Sequence, residues 1–128
     1  MNYVLDNENK KFYLDLLYVV EEYITFKIYI KIGAYSGEGI MTFNYNEVQE
    51  QIQNLDILWE GKRADFRMND YDSAMYIAIK PYKDNYYLLY GQLADGSDNL
   101  ELRYNVKIDQ SSIRLLRDVL CDSSAMFG

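Results

Sequence analysis

Ile24, Phe26, Ile28, Ile30 and Ile32 alternate with Thr25, Lys27, Tyr29 and Lys31. A period of two sustained over 23–32 predicts a strand with one face in the core and one in water. The same alternation returns at Leu100, Leu102, Tyr104, Val106 and Ile108, between Glu101, Arg103, Asn105 and Lys107. Shorter or less regular versions occur over 12–19, 40–45, 64–68, 75–79 and 86–93. These segments predict about seven strands, with Pro81 ending one of them or lying at an edge.

Twice the period lengthens. Val48, Ile52, Leu55 and Trp59 follow at spacings of four, three and four, which is one stripe of an amphipathic helix. Asn46 is the expected N-cap, and Gly61 the expected stop, with Lys62 and Arg63 near the negative end of the helix dipole. A second stripe, Ile113, Leu116 and Leu120, opens at Asp109, another expected cap. On these patterns Trp59 belongs to the core, Cys121 is a partly buried structural thiol, and 122–128 frays.

Asn69 to Ser73, Asp84-Asn85 and Asp95-Gly96 read as tight turns, which argues for antiparallel pairing. Strands with one wet face need a cover on the other, and the two helices supply it. The expected fold is therefore α+β, a single domain over 1–128. It is a curved antiparallel sheet of about seven strands with two amphipathic helices on one face.

One stretch raises a chemical question. Gly33-Ala34-Tyr35-Ser36-Gly37-Glu38-Gly39 holds three of the seven glycines. A phosphate-binding loop needs lysine after its last glycine and a helix behind it. Here Glu38 follows Gly37 and a strand comes next, so a hairpin turn is expected.

Composition narrows the chemistry further. The chain has 128 residues, no histidine, one cysteine and a net charge of −7. Without histidine, Ser-His and Cys-His nucleophiles and histidine metal sites are excluded. The lone cysteine cannot form an internal disulfide. The turns at 69–72 and 95–99 carry oxygen ligands but lack the calcium-loop pattern. No catalytic, cofactor or metal residue is singled out, although a pair of carboxylates brought together in space stays open. No apolar run is long enough for a membrane helix, and the N-terminus lacks a secretory pattern, so a cytoplasmic protein is expected. An acidic balance disfavours direct nucleic-acid binding and suits either solubility or a basic partner. Fourteen tyrosines fit an interface, or a compositional bias shared with Asn, Ile and Lys.

Several short segments carry a family resemblance through their order. They are Ala34-Tyr35-Ser36-Gly37, the helix with Val48, Ile52, Leu55 and Leu58, and Trp59-Glu60-Gly61-Lys62-Arg63-Ala64-Asp65-Phe66. Tyr90-Gly91-Gln92-Leu93, Asn99-Leu100-Glu101-Leu102-Arg103-Tyr104 and Asp109-Gln110-Ser111-Ser112-Ile113 follow. Over roughly 23–120 this succession resembles the small WapI-type bacterial immunity proteins and related uncharacterised bacterial proteins. Tyr35, Phe66 and Ile113 depart from the pattern's usual residues and are expected to keep its packing roles. The pattern brings no catalytic residues.

The resemblance implies a non-enzymatic immunity protein that binds a cognate toxin domain and blocks its active surface. Such domains are often basic nucleases, and an acidic inhibitor complements them. Tyr29, Asp65, Tyr76 and Glu101 are the expected contact residues, as aromatic anchors among carboxylates on the wet sheet face. Two alternatives stay open: a general binding domain, such as a homodimer through exposed tyrosines or an edge strand, and an enzyme working through carboxylates alone.

Overall fold

A computed structural model describes residues 2–94 and 101–126. Among the described residues the order is β1 (Tyr3–Asp6), β2 (Lys10–Val20), β3 (Tyr23–Ile32), β4 (Tyr35–Asn44), α1 (Tyr45–Trp59), β5 (Phe66–Asn69), β6 (Tyr76–Pro81), β7 (Tyr87–Ala94), β8 (Glu101–Ile108) and α2 (Gln110–Ala125). The class is α+β, as expected. The single seven-stranded sheet is not formed. Eight strands make two antiparallel sheets of four, β1-β2-β3-β4 (sheet A) and β5-β6-β7-β8 (sheet B).

The division has a local cause. The chain leaves sheet A at Asn44 and runs through α1 before β5, so β4 and β5 are edges of different sheets. The open edge of β4 is met by a loop instead: Tyr71 N–H donates to Thr42 O (2.8 Å), and Thr42 N–H to Asp70 Oδ1 (2.7 Å). Period two tells which residues share a face, and it is silent on which sheet a strand joins.

The inner faces share one core. Phe12, Phe26 and Phe43 of sheet A and Phe66, Ile79 and Leu89 of sheet B are almost wholly buried. Phe12 lies 5.9 Å, ring to ring, from Tyr104 of β8. The helices pack on each other, α1 over β5 and β4 and α2 over β1, β2 and β8, so the pair spans both sheets. Each fully buried leucine, isoleucine or phenylalanine here contributes about 1.5–3 kcal/mol of transfer free energy.

Helix ends follow side-chain chemistry. The cap of α1 is Asn44, two residues before the expected Asn46, and its side chain accepts from Asn46 N–H. At the other end Gly61, at φ 78°, lets Lys62 N–H reach Ile57 O and Gly61 N–H reach Leu58 O. This is a Schellman stop. Leu58 takes the buried position beside Leu55, leaving Trp59 37% exposed rather than in the core. Its ring faces the Arg114 guanidinium, and its carbonyl accepts from Gln110 Nε2. Asp109 caps α2 as expected. That helix runs on to Ala125 with Ser123 and Ser124 buried, so its last turns are packed rather than frayed, and 127–128 of the expected frayed tail lie outside the described residues. Cys121 is half-buried, and burial pushes its thiol up from the ordinary value.

The 33–39 stretch is a hairpin with a shorter turn than expected. Only Gly33 and Ala34 turn, with Gly33 at φ 61°, and β4 begins at Tyr35 opposite Ile32. Tyr35 is 78% exposed and has no packing role, whereas Phe66 and Ile113 are buried. The expected turn at Asp95-Gly96, the oxygen-rich 95–99 segment and Leu100 lie outside the described residues.

Two stability tests follow from these contacts. A Cβ at Gly91 would stand 2.2 Å from Tyr76 O and 2.4 Å from Tyr104 Oη. Gly91→Ala should therefore cost about 1–3 kcal/mol through overpacking, read as a lower urea midpoint at unchanged slope. Asp109 concerns pH. The Ser111 hydroxyl first, and then the Ser112 and Ser111 N–H groups, hold its carboxyl below the ordinary range. A depressed folded pKa gives stability that is complete above the unfolded value of about 3.9 and lost as pH falls through the folded one. Asp109→Ala should cost about 1 kcal/mol at neutral pH. The variant and the parent should converge in acid.

Candidate functional site

Sheet A is irregular at one place. The β2–β3 register shifts between Leu16 and Tyr18, which makes Leu17 the extra residue of a bulge. A bulge bends its strand and re-aims side chains. Leu17 is 42% exposed, Tyr18 55% and Val20 57%, and Ile40 on β4 is 57% exposed. Tyr18 stands opposite Thr25, Val20 opposite Tyr23, and Ile40 opposite Lys27. All three therefore lie on the outer face, away from Ile24, Phe26 and Ile28. Leu17 joins Ile40 in lining an open groove of about 710 Å³ that continues over Gly39, Met75 and Ala94. Lys27 and Glu38 flank the groove as an ion pair at 3.4 Å, and that pairing raises the Lys27 pKa.

Tyrosines extend this face in both directions. Towards the far end of β3, Tyr29 stacks on Tyr13 at 5.0 Å and 15°, and Tyr3 meets Tyr13 edge-on at 5.5 Å. Towards the β2–β3 turn, Tyr23 meets Tyr71 at 4.8 Å. Tyr71 is 67% exposed. Its interaction with Tyr23, followed by burial, raises the Tyr23 phenol above its ordinary pKa, and Glu22 adds to the effect.

Carboxylates surround that end. The β2–β3 turn is Glu21-Glu22, with Glu21 at φ 53°, a left-handed conformation that glycine or asparagine would adopt more cheaply. Tyr45 N–H donates to Glu22 O (2.7 Å), which ties the turn to the start of α1. Asp70 is fixed on the β4 edge, and its second oxygen accepts from the Ser73 hydroxyl (2.6 Å). Glu47 accepts from Asn69 N–H (3.1 Å), and burial pushes its carboxyl above the usual range. None of Glu21, Glu22, Glu47, Asp70 and Asp72 forms an ion pair among the described residues. Exposed apolar side chains with a polar, charged margin have the anatomy of a protein-binding surface.

The four expected contact residues do not form one surface. Tyr29 belongs to the outer face of sheet A, beside the groove. Tyr76 and Glu101 are on the outer face of sheet B, and Asp65 is exposed just before β5. Tyr76 sits beneath the Arg67 guanidinium, at 3.9 Å, rather than among carboxylates. The sequence reading missed Leu17, Tyr18, Val20, Ile40 and Tyr71. A signal was present for the first three: Leu16-Leu17-Tyr18-Val19-Val20 is continuously apolar where a half-wet strand should alternate, as a bulge makes it do.

No family model, curated protein or solved structure matches this chain. Among the described residues, no three of Cys, Asp and Glu gather closely enough to hold a metal ion. No described helix is long and apolar enough to cross a membrane.

The 70–75 loop is the element that frames the site, and one carboxylate fixes it. Asp70→Ala leaves Thr42 N–H without its acceptor, at an expected cost of about 1–3 kcal/mol. Amide hydrogen exchange at Thr42 and Tyr71 should accelerate while the β6–β7 amides keep their protection. Unchanged exchange at Thr42 would show that the loop is held by other contacts.

Proposed function

We propose that this chain is a binding protein of the immunity type. In this reading the outer face of sheet A docks on a basic protein domain, a nuclease toxin being the kind that the sequence resemblance implies. The observation that supports it best is the cluster of Leu17, Tyr18, Val20 and Ile40, exposed beside unpaired carboxylates. Apolar side chains at the centre supply the contact energy, and the carboxylates speed the encounter with a cationic surface and fix its orientation. Covering such a surface keeps a nucleic-acid substrate away from it.

Self-association through the β4 edge is less well supported. Both backbone groups of Thr42 are already engaged by the 70–71 segment, so another strand cannot add there without displacing it.

The test is a calorimetric titration against the C-terminal domain of the protein encoded immediately upstream, at low and moderate salt. A tight one-to-one complex weakened by salt is expected. Tyr18→Ala with Val20→Lys should reduce affinity at least about a hundredfold, the scale of a hot-spot pair. Tyr76→Ala, on the other sheet, should leave it unchanged. A protein that shows no binding and self-associates in light scattering would overturn the reading.

A further inference from the structure

The outer face of sheet B is of a different chemical kind. Strand pairing places Arg67, Ala78, Tyr90 and Asn105 in one row and Asn69, Tyr76, Gln92 and Arg103 in the next. Lys80, Leu88 and Lys107 form a third. Arg67, Lys80, Arg103 and Lys107 are all exposed, and none forms an ion pair among the described residues. Of the described carboxylates, Glu101 lies at one end of this face, Asp65 just before β5, and Glu47 and Asp70 at the Asn69 corner, where Glu47 accepts from Asn69 N–H.

Three of these cations rest on tyrosines: Arg67 over Tyr76 (3.9 Å), Lys80 over Tyr90 (5.0 Å) and Lys107 over Tyr86 (4.3 Å). A guanidinium lying on a ring still presents its in-plane N–H donors to an oxygen anion. Arg67 Nε donates to Asn69 Oδ1 (3.0 Å), so the Asn69 amide adds a donor, and the exposed Asn105 amide a donor and an acceptor, suited to the edge of a base.

The net charge of −7 does not oppose a polyanion here. Exposed charges interact weakly beyond a Debye length of about 8 Å at physiological salt. Glu47 and Asp70 border this face at the Asn69 corner, and Lys80 and Lys107 share the row furthest from that corner. What an approaching strand meets is the local face.

We propose that the outer face of sheet B binds single-stranded nucleic acid. The four cations contact phosphates, and Tyr76, Tyr90 and the two asparagines meet splayed bases. A broad four-stranded face meets a duplex groove only by bending the duplex, whereas unstacked bases can lie on rings and guanidinium planes. An acidic peptide would use the cations and leave the rings and amides without a role. This proposal does not rest on the reading of sheet A, because the two faces point away from each other.

The test is fluorescence anisotropy of a labelled oligo(dT) or oligo(rU) with the full chain, from low to physiological salt. Four phosphate contacts predict a slope of log affinity against log salt of about −3. Lys80→Glu with Lys107→Glu, both exposed, should weaken binding at least about tenfold and roughly halve that slope, with the circular dichroism unchanged. Tyr90→Leu should weaken binding about tenfold without altering the slope, since stacking carries no counterion release. A duplex of the same length should bind more weakly. Three results would overturn the proposal: no anisotropy change at low salt, equal binding by the charge-reversed protein, or displacement of the oligonucleotide by polyglutamate at equal charge. The last would reassign the face to an acidic protein.

Discussion

The constraint on which the structure depends is that a half-wet sheet can hide only one of its faces. Two such sheets, covered by one pair of helices, share a single core, and that leaves two broad faces in water. Phe12, Phe26, Phe43 and Phe66 fill the hidden side. Everything distinctive about the molecule is on the other sides. The outer face of sheet A holds exposed apolar groups and tyrosines with carboxylates at one end, and the outer face of sheet B holds cations lying on tyrosines.

Much of the fold is legible in the sequence because local chemistry decides it. The alternation in 23–32 gives β3 to the residue, and Gly61 and Asp109 mark helix ends through backbone geometry and capping that act over a few positions. What is not legible depends on distant partners. β1 is only Tyr-Val-Leu-Asp, and it becomes a strand by pairing with β2. The separation into two sheets turns on whether β4 pairs with β5 or with the 70–71 loop, a choice made by residues about 28 positions apart, as in the Thr42–Asp70 bond.

The candidate site was harder to read, for a related reason. Side-chain parity along β2 changes at Leu17, so a strict alternation assigns the residues after it to the wrong face. The contact residues expected from the pattern fall on two sheets because alternation does not say which strands pair. Net charge misleads in a similar way. A total of −7 is a sum, and the fold sorts its contributions, with Glu21, Glu22 and Asp70 gathered at one end of sheet A and Arg67, Lys80 and Lys107 on sheet B. Binding depends on that sorting rather than on the sum.

The packing of α2 over β1 and β2 has a consequence for biosynthesis. Strands β1 and β2 leave the ribosome well before the helix that covers them. At about 5–20 residues per second, β1 and β2 wait roughly 5–25 seconds for α2 to emerge. During that interval Val4, Phe12 and Leu14 lack their final cover. The nascent chain thus carries an apolar flank that a chaperone could hold, and this core closes only when α2 has emerged.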